Sequence, residues 1–330
     1  MDVIEQGVGR VFTDPDADKA REFFRHKSRA LVSKLTTVKE AVERLVKDGD
    51  YLSIGGFGAN RVAISAIHEI VRQGKKKLGL AGHTATHDFQ ILCAGKSFNR
   101  CDVAYIVGLE ARGLSANARK YMESGEVEVC EWTNYTLSAR YKAATAGVSF
   151  HPIRNLMGTD TFKYSGAKMA KCPFTGTNYA LVPALYSDVA VIHVHEADIY
   201  GNCRTRGILM SDYDVARSSK KVIITCERII PNDEIRRDPT STFIPYWCVD
   251  AVCEVPYGSY PGNMYGEYFS DEDHLREWMK VEKDPEEFKA FLDRNIYGVK
   301  DHFEYIERNG GIAKMLKLRQ KEWLLVGARA

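Results

Sequence analysis

From residue 36 the chain alternates between two apolar patterns. Short runs rich in apolar residues, at 51–54, 77–81, 103–107, 127–131 and 148–153, read as strands. Between them, apolar positions recur three and four residues apart. Val38, Ala41, Val42, Leu45 and Val46 form one such set, and Ile64, Ile67, His68 and Val71 another. That is the spacing of one helix face. Thr37 followed by Glu40 predicts a capping box at the first helix, and Asp48-Gly49-Asp50 predicts its end. Further helices are expected over 61–73, from 88, over 116–123 and over 135–146. Strands separated by single helices imply βαβ units and a parallel sheet. The apolar runs at 189–194 and 222–225, with a further strand at 249–255, suit a sheet covered on both faces.

The two ends differ from this body. Asp14-Pro15-Asp16 can start a helix, and 20–34 is rich in Arg and Lys, so 1–35 reads as a peripheral helical arm that clamps a partner. From 271 onward Leu275, Trp278, Met279, Phe288, Phe291 and Leu292 give a helical pattern. The expected fold is α/β: an open, mostly parallel sheet over 36–270 with helices on both faces, an N-terminal arm at 1–35 and a C-terminal helical extension at 271–330.

Composition narrows the classes of function. The 330 residues include 46 Lys and Arg against 44 Asp and Glu, a formal net charge of +2. So even a balance gives no electrostatic case for nucleic acid or for an anionic membrane surface. No apolar run approaches the ~18 residues of a spanning helix. The opening residues hold no basic segment followed by an apolar one, so a cytoplasmic location is expected. The eight cysteines form no CxxC pair, and they read as reduced, buried, small hydrophobes.

In an open parallel sheet, ligands sit beyond the carboxyl ends of the strands. Four loops lie there. Gly55-Gly56-Phe57-Gly58-Ala59-Asn60-Arg61 lets the backbone approach a ligand closely, and it is neither a dinucleotide fingerprint nor a phosphate loop. Gly82-His83-Thr84-Ala85-Thr86-His87-Asp88 carries two histidines four apart, which reads as a polar pocket wall, a metal-ligand pair or plain surface. Glu110 follows the strand of 103–107, where a catalytic carboxylate would sit, and it could equally pair with Arg112 or Arg119. The fourth loop runs from His193 and His195, read as buried and hydrogen-bonded, to Gly201-Asn202. No metal site is expected.

Taken in order, several motifs resemble one family. They are Gly55-Gly56-Phe57-Gly58, then 105–110 with Gly108-Leu109-Glu110, then 121–128, Asn155-Leu156-Met157-Gly158-Thr159-Asp160, 197–202 and 220–230. The series is similar to the A (alpha) chain of family I CoA-transferases, above all to the glutaconate CoA-transferase branch. The resemblance implies a ping-pong exchange of CoA between carboxylic acids through a glutamyl-CoA thioester, with the nucleophilic glutamate on a partner B (beta) subunit. CoA would be substrate and product, with no permanently bound cofactor. By the same resemblance Gly55, Gly56, Phe57 and Gly58 would give backbone N–H groups, and Asn60 and Arg61 would bind a substrate carboxylate. His83, Thr84 and His87 would line the acyl side, and Gly201 and Asn202 would add to the CoA or substrate site. Gly108-Leu109-Glu110 departs from the A-type Gly-Glu-Asn by one inserted residue. Relatives of this fold cleave C–C bonds or decarboxylate CoA esters, and that alternative makes Glu110 or His83 a base. A non-catalytic CoA-ester binding subunit is the third reading.

Overall fold

The computed structural model describes residues 2–106 and 112–327. In chain order the strands are β1 (Val3–Gln6), β2 (Tyr51–Ile54), β3 (Leu78–Gly82), β4 (Phe98–Val103), β5 (Glu128–Glu131) and β6 (Phe150–Ile153). They continue as β7 (Lys168–Lys171), β8 (Asn178–Pro183), β9 (Val189–Ala197), β10 (Cys203–Arg204), β11 (Lys221–Ile229) and β12 (Ala251–Glu254). The main sheet has the order β12-β11-β9-β2-β3-β4-β5, all parallel, with β10 antiparallel to β9. From β2 the chain builds outward to β3, β4 and β5. It then returns to the other side of β2 with β9, β11 and β12. The direction of winding therefore reverses between β2 and β9, and a crevice opens beyond their carboxyl ends.

Alternate residues of each strand feed opposite faces, as the pleat requires. Leu52, Leu80, Val189, Val191 and Ile223 face one core. Tyr51, Ala81, Ala190, Ile192 and Ile224 face the other. The first core is covered by the helices Val38–Leu45, Ile64–Arg72 and His87–Ala94, and the C-terminal helices add Trp278, Phe288, Phe291 and Ile296 to it. The second is covered by the helix Asn134–Ala146, the helix Asp212–Ser218 and a smaller sheet. The predicted capping box is present: Thr37 Oγ1 accepts from Glu40 N, and Glu40 accepts from Thr37 N, each at 3.2 Å.

Three expectations change. The strand expected at 103–107 is β4, at Phe98–Val103. The strand ending at Ile153 joins the smaller antiparallel sheet of order β1-β7-β8-β6. Residues 1–35 contribute β1 to that sheet as well as the helix Ala17–His26. Lys27 fastens this segment to the body by donating to Lys220 O at 2.9 Å, Cys248 O at 2.7 Å and Asp250 Oδ2 at 2.8 Å. All eight cysteines are free, and Cys172 alone among them is half-buried rather than buried. Among the described residues, no helix is long and apolar enough to cross a membrane.

Candidate active site

At the crevice the chain leaves β2 through the glycine loop. Gly55 passes between two walls: a Cβ there would lie 2.6 Å from Asp212 Oδ1 and 2.9 Å from Ile192. Gly56 has φ +95°, and its Cβ would lie 2.7 Å from the Arg61 carbonyl oxygen. Only glycine fits both positions. The loop then folds back on itself, with Phe57 and Asn60 exchanging backbone hydrogen bonds of 3.0 Å.

The loop after β3 meets it. Gly58 N donates to Thr84 O at 3.1 Å, and Thr86 Oγ1 donates to Gly58 O at 2.8 Å. Each loop holds one buried non-glycine residue in the left-handed region, Arg61 at φ +63° and Thr84 at φ +54°. For a β-branched threonine this conformation is an outlier. Such residues cost about 1–3 kcal/mol and cluster at functional sites.

The hydrogen bonds correct two expectations. The amides of Gly55, Gly56, Phe57 and Gly58 are not available as donors to a ligand. They are given to Val191 O, Asp212 Oδ1, Asn60 O and Thr84 O. In the two loops, the backbone N–H groups of Ala59 and Thr84 have no partner among the described residues. Nor does Arg61 offer its charge to a substrate carboxylate. Its side chain is fully buried, with Nη1 on Asp212 Oδ1 at 2.9 Å and Nη2 on Asp212 Oδ2 at 3.0 Å. Asn60 keeps the better claim: its Oδ1 accepts from Asn263 Nδ2 at 3.1 Å, and its own amide nitrogen has no partner among the described residues.

The two histidines of the second loop diverge. His83 Nε2 lies 3.1 Å from both Asn134 O and Ser138 Oγ, on the side of the helix Asn134–Ala146. A carbonyl only accepts, so Nε2 carries the proton and Nδ1 is the free acceptor. His87 turns the other way, with Nδ1 at 3.0 Å from Gln90 Oε1 and its ring edge-on to Trp278. Burial lowers both pKa values, to about 4 for His87, so both are neutral near pH 7. Pointing apart, they do not form a metal pair.

Gly201 and Asn202 lie elsewhere. Ile54 pairs with Val191, so the end of β9 at Ala197 runs six residues past the end of β2. At about 3.3 Å per residue that is roughly 20 Å. There Asp198 Oδ1 accepts from the amides of Tyr200, Gly201 and Asn202 at 2.8–3.0 Å, and Asn202 Oδ1 accepts from Tyr246 N at 3.1 Å. Both residues build a turn. Glu110 lies outside the described residues. Of the two cations suggested for it, Arg112 pairs with Glu272 at 2.7 Å and Arg119 with Glu123 at 2.9 Å. His193 bonds to Thr225 and Glu227, and His195 to Thr205 and Tyr265 O, inside the protein.

Sequence reading missed Asp212, Ser138, Ser211 and Asn263. They hold the two loops from distant parts of the chain. Arg61 Nη2 also donates to Ile208 O at 2.8 Å, and beside it Ile208, Leu209, Met210 and Tyr265 are exposed at the rim.

Gly56→Ala is expected to displace the loop and lower turnover about 10²-fold, the usual scale for an ångström of misplacement. Steady-state kinetics beside a thermal melt checks this. The melt is expected to move far less than the rate.

A doubly covered parallel sheet with strained, touching loops at its reversal point belongs to the ligand-binding α/β class. This chain belongs to the coenzyme A transferase family, whose sequence profile matches residues 35–255. It is 33% identical to the A chain of glutaconate CoA-transferase from Acidaminococcus fermentans, over 84% of this chain and 92% of that one. The crystal structure of that enzyme superposes with a TM-score of 0.82, covering 87% of this chain and 96% of the other. Identity to the A chain of 3-oxoadipate CoA-transferase from Pseudomonas knackmussii is 34%, over 83% of this chain and 97% of that one. A crystal structure of the decarboxylase AibA/AibB is also similar, with a TM-score of 0.71 and 27% identity over 80% of this chain and all of that one.

Proposed function

We propose that this chain is the A-type half of a two-chain CoA-transferase, and that its crevice loops form one wall of a site completed by a B-type partner. One observation carries the reading. The strained loops bring unpartnered amides to the crevice, while the carboxylate beside them, Asp212, is fully engaged by Arg61 and Gly56. The wall has donors for an acyl oxygen, and of the two described carboxylates in it Asp212 is paired with Arg61 and Asp88 is buried with its Oδ1 on Thr86 N at 2.7 Å. The apolar rim of Ile208, Leu209, Met210 and Tyr265 adjoins these loops and is where the partner would seat. The A-type relatives of the glutaconate and 3-oxoadipate enzymes support the same division of labour.

On this reading a partner carboxylate oxygen attacks the thioester carbonyl and CoA thiolate leaves, giving an acyl-glutamyl anhydride. The thiolate then attacks the glutamyl carbonyl and the free carboxylate leaves, giving a glutamyl-CoA thioester. A second acid reverses both steps, so no net proton or water is consumed. Each attack builds negative charge on the carbonyl oxygen. Ala59 N–H, Thr84 N–H and the Asn60 amide are the proposed donors to it, and preorganised donors of this kind are worth about 10²–10³-fold each. CoA is substrate and product, and the proposed compartment is the cytoplasm, which suits eight free thiols.

Intact-protein mass spectrometry tests the division. With acyl-CoA and no acceptor acid, the co-expressed partner is expected to gain the mass of CoA less water, and this chain to gain nothing. An adduct on this chain contradicts the assignment. The decarboxylase similarity keeps a second chemistry in view, in which a CoA ester loses CO2 and its carbanion takes a proton from a water, the hydroxide left being taken up by CO2 as bicarbonate, with His83 Nδ1, the acceptor of a neutral imidazole, placed to orient that water.

A further inference from the structure

Asp212 ties together more of the crevice than any residue in the loops themselves. It opens the helix Asp212–Ser218 and is 2% exposed. Its Oδ1 accepts from Gly56 N at 2.8 Å and from Arg61 Nη1 at 2.9 Å, and its Oδ2 accepts from Arg61 Nη2 at 3.0 Å. Arg61 N donates in turn to Asn263 O at 2.8 Å. Both ends of the loop are therefore fixed to a single carboxylate. The residue before it grips the second loop: Ser211 Oγ is 2.9 Å from Ser138 Oγ, which is 3.1 Å from His83 Nε2.

Stability alone is a poor reason for this arrangement. Removing two charges from water costs several kcal/mol for each, and well-packed apolar residues often serve a fold as well. Arg61 also sits in the left-handed region, where a side chain stays only when its surroundings hold it. The pair does something an apolar pair would not: it aims a bidentate fork and orients the peptide of Gly56. Burial pushes the Asp212 carboxyl up, but the Arg61 charge and the hydrogen bonds from Arg61 and Gly56 outweigh it and the net shift is downward.

We propose that Asp212 is the positioning residue of the site: through Arg61 and Gly56 its carboxylate sets the loop of residues 55–60 in the form that presents the Ala59 amide and Asn60 to the acyl group. The proposal rests on the CoA-transferase reading.

The test uses the assembled two-chain enzyme, with Asp212→Asn and the double variant Asp212→Asn/Arg61→Gln. The double variant leaves no buried charge stranded, so it carries the test where the single variant fails to fold. In either, kcat is expected to fall about 10²-fold, while KM for acyl-CoA changes less than about 3-fold. Hydrogen exchange is expected to accelerate in the peptide spanning 55–61 and to stay unchanged in β9 and β11. Wild-type turnover per folded enzyme in the double variant overturns the proposal, and so does unchanged exchange in the loop. If the wild-type complex transfers no CoA, it is the CoA-transferase reading that falls. The exchange of the loop then still decides whether Asp212 holds it.

Discussion

Replacing Asp102 by alanine is expected to remove about 3–5 kcal/mol of folding free energy, the scale for breaking a buried ion pair from one side. Asp102 is completely buried on β4, and three groups converge on it. Trp132 Nε1 donates at 2.5 Å, the Tyr51 hydroxyl donates from β2, and Arg140 Nη1 lies 3.0 Å away. Arg140 is equally buried, stacks 4.3 Å from the Trp132 ring centre, and gives its Nε to Pro183 O at 3.0 Å. Alanine leaves a buried cation without its counter-charge and the Trp132 indole N–H without an acceptor, while the Tyr51 hydroxyl keeps only the Leu80 carbonyl at 3.3 Å. Against a typical margin of 5–15 kcal/mol this is a large fraction. Urea unfolding measures it, and Asp102→Ala/Arg140→Leu is expected to recover at least half of the loss by removing the stranded charge. A loss below about 1 kcal/mol in the single variant would contradict the account.

The second large effect is acid lability. Burial lowers the pKa of His87, His195 and His302 to about 4, and burial together with the nearby His87 lowers that of His274 to about 3. The fold holds these imidazoles neutral, whereas the unfolded chain protonates them near the ordinary 6.5. Their contribution to stability is complete above about pH 6.5. It is lost as the pH falls toward 4, because the unfolded chain takes up protons that the folded chain refuses. A value near 4 against 6.5 is worth about 3 kcal/mol per imidazole, so two of the four are enough to exhaust a modest margin. Asp88 opposes this. Burial raises its carboxyl to about 6 and that of Glu282 above its ordinary value, so both contribute stability as the pH falls, but they are two groups against four imidazoles. Urea midpoints are expected to hold steady from pH 8 to 7 and to fall steeply between 6 and 4.5. A flat profile down to pH 4.5 would rule out the neutral-histidine account. His274 and His302 contact Tyr305, and His87 contacts Trp278, so loss of the C-terminal helices is expected to lead the transition.

Legibility in the sequence followed local chemistry. The capping box at Thr37 and Glu40, the continuous strands around 189–194 and 222–225, and the glycine turn after β2 all write their structure in adjacent residues. β4 does not. Its run of Phe98, Asn99, Arg100, Cys101, Asp102 and Val103 looks polar, because Asp102 is the buried ion that Arg140 neutralises. The smaller sheet was hidden for a similar reason: β7 alternates Lys168, Met169, Ala170 and Lys171 with lysines at both ends. At the site, the loops were visible but the direction of their hydrogen bonds was not. Gly56 and Asp212 lie 156 residues apart in the chain, and nothing local marks Asp212 as the acceptor that takes up Arg61.

The central claim is transfer between acids by a shared site, and the most direct measurement follows CoA esters by mass spectrometry. The chain is co-expressed with a B-type partner, and the complex is mixed with acyl-CoA in the presence and absence of a free carboxylic acid. The account predicts CoA on the acceptor acid, formed only when that acid is present, and no turnover by this chain alone. Conversion of acyl-CoA without any acceptor would contradict it, and would move the chemistry to a base such as His83.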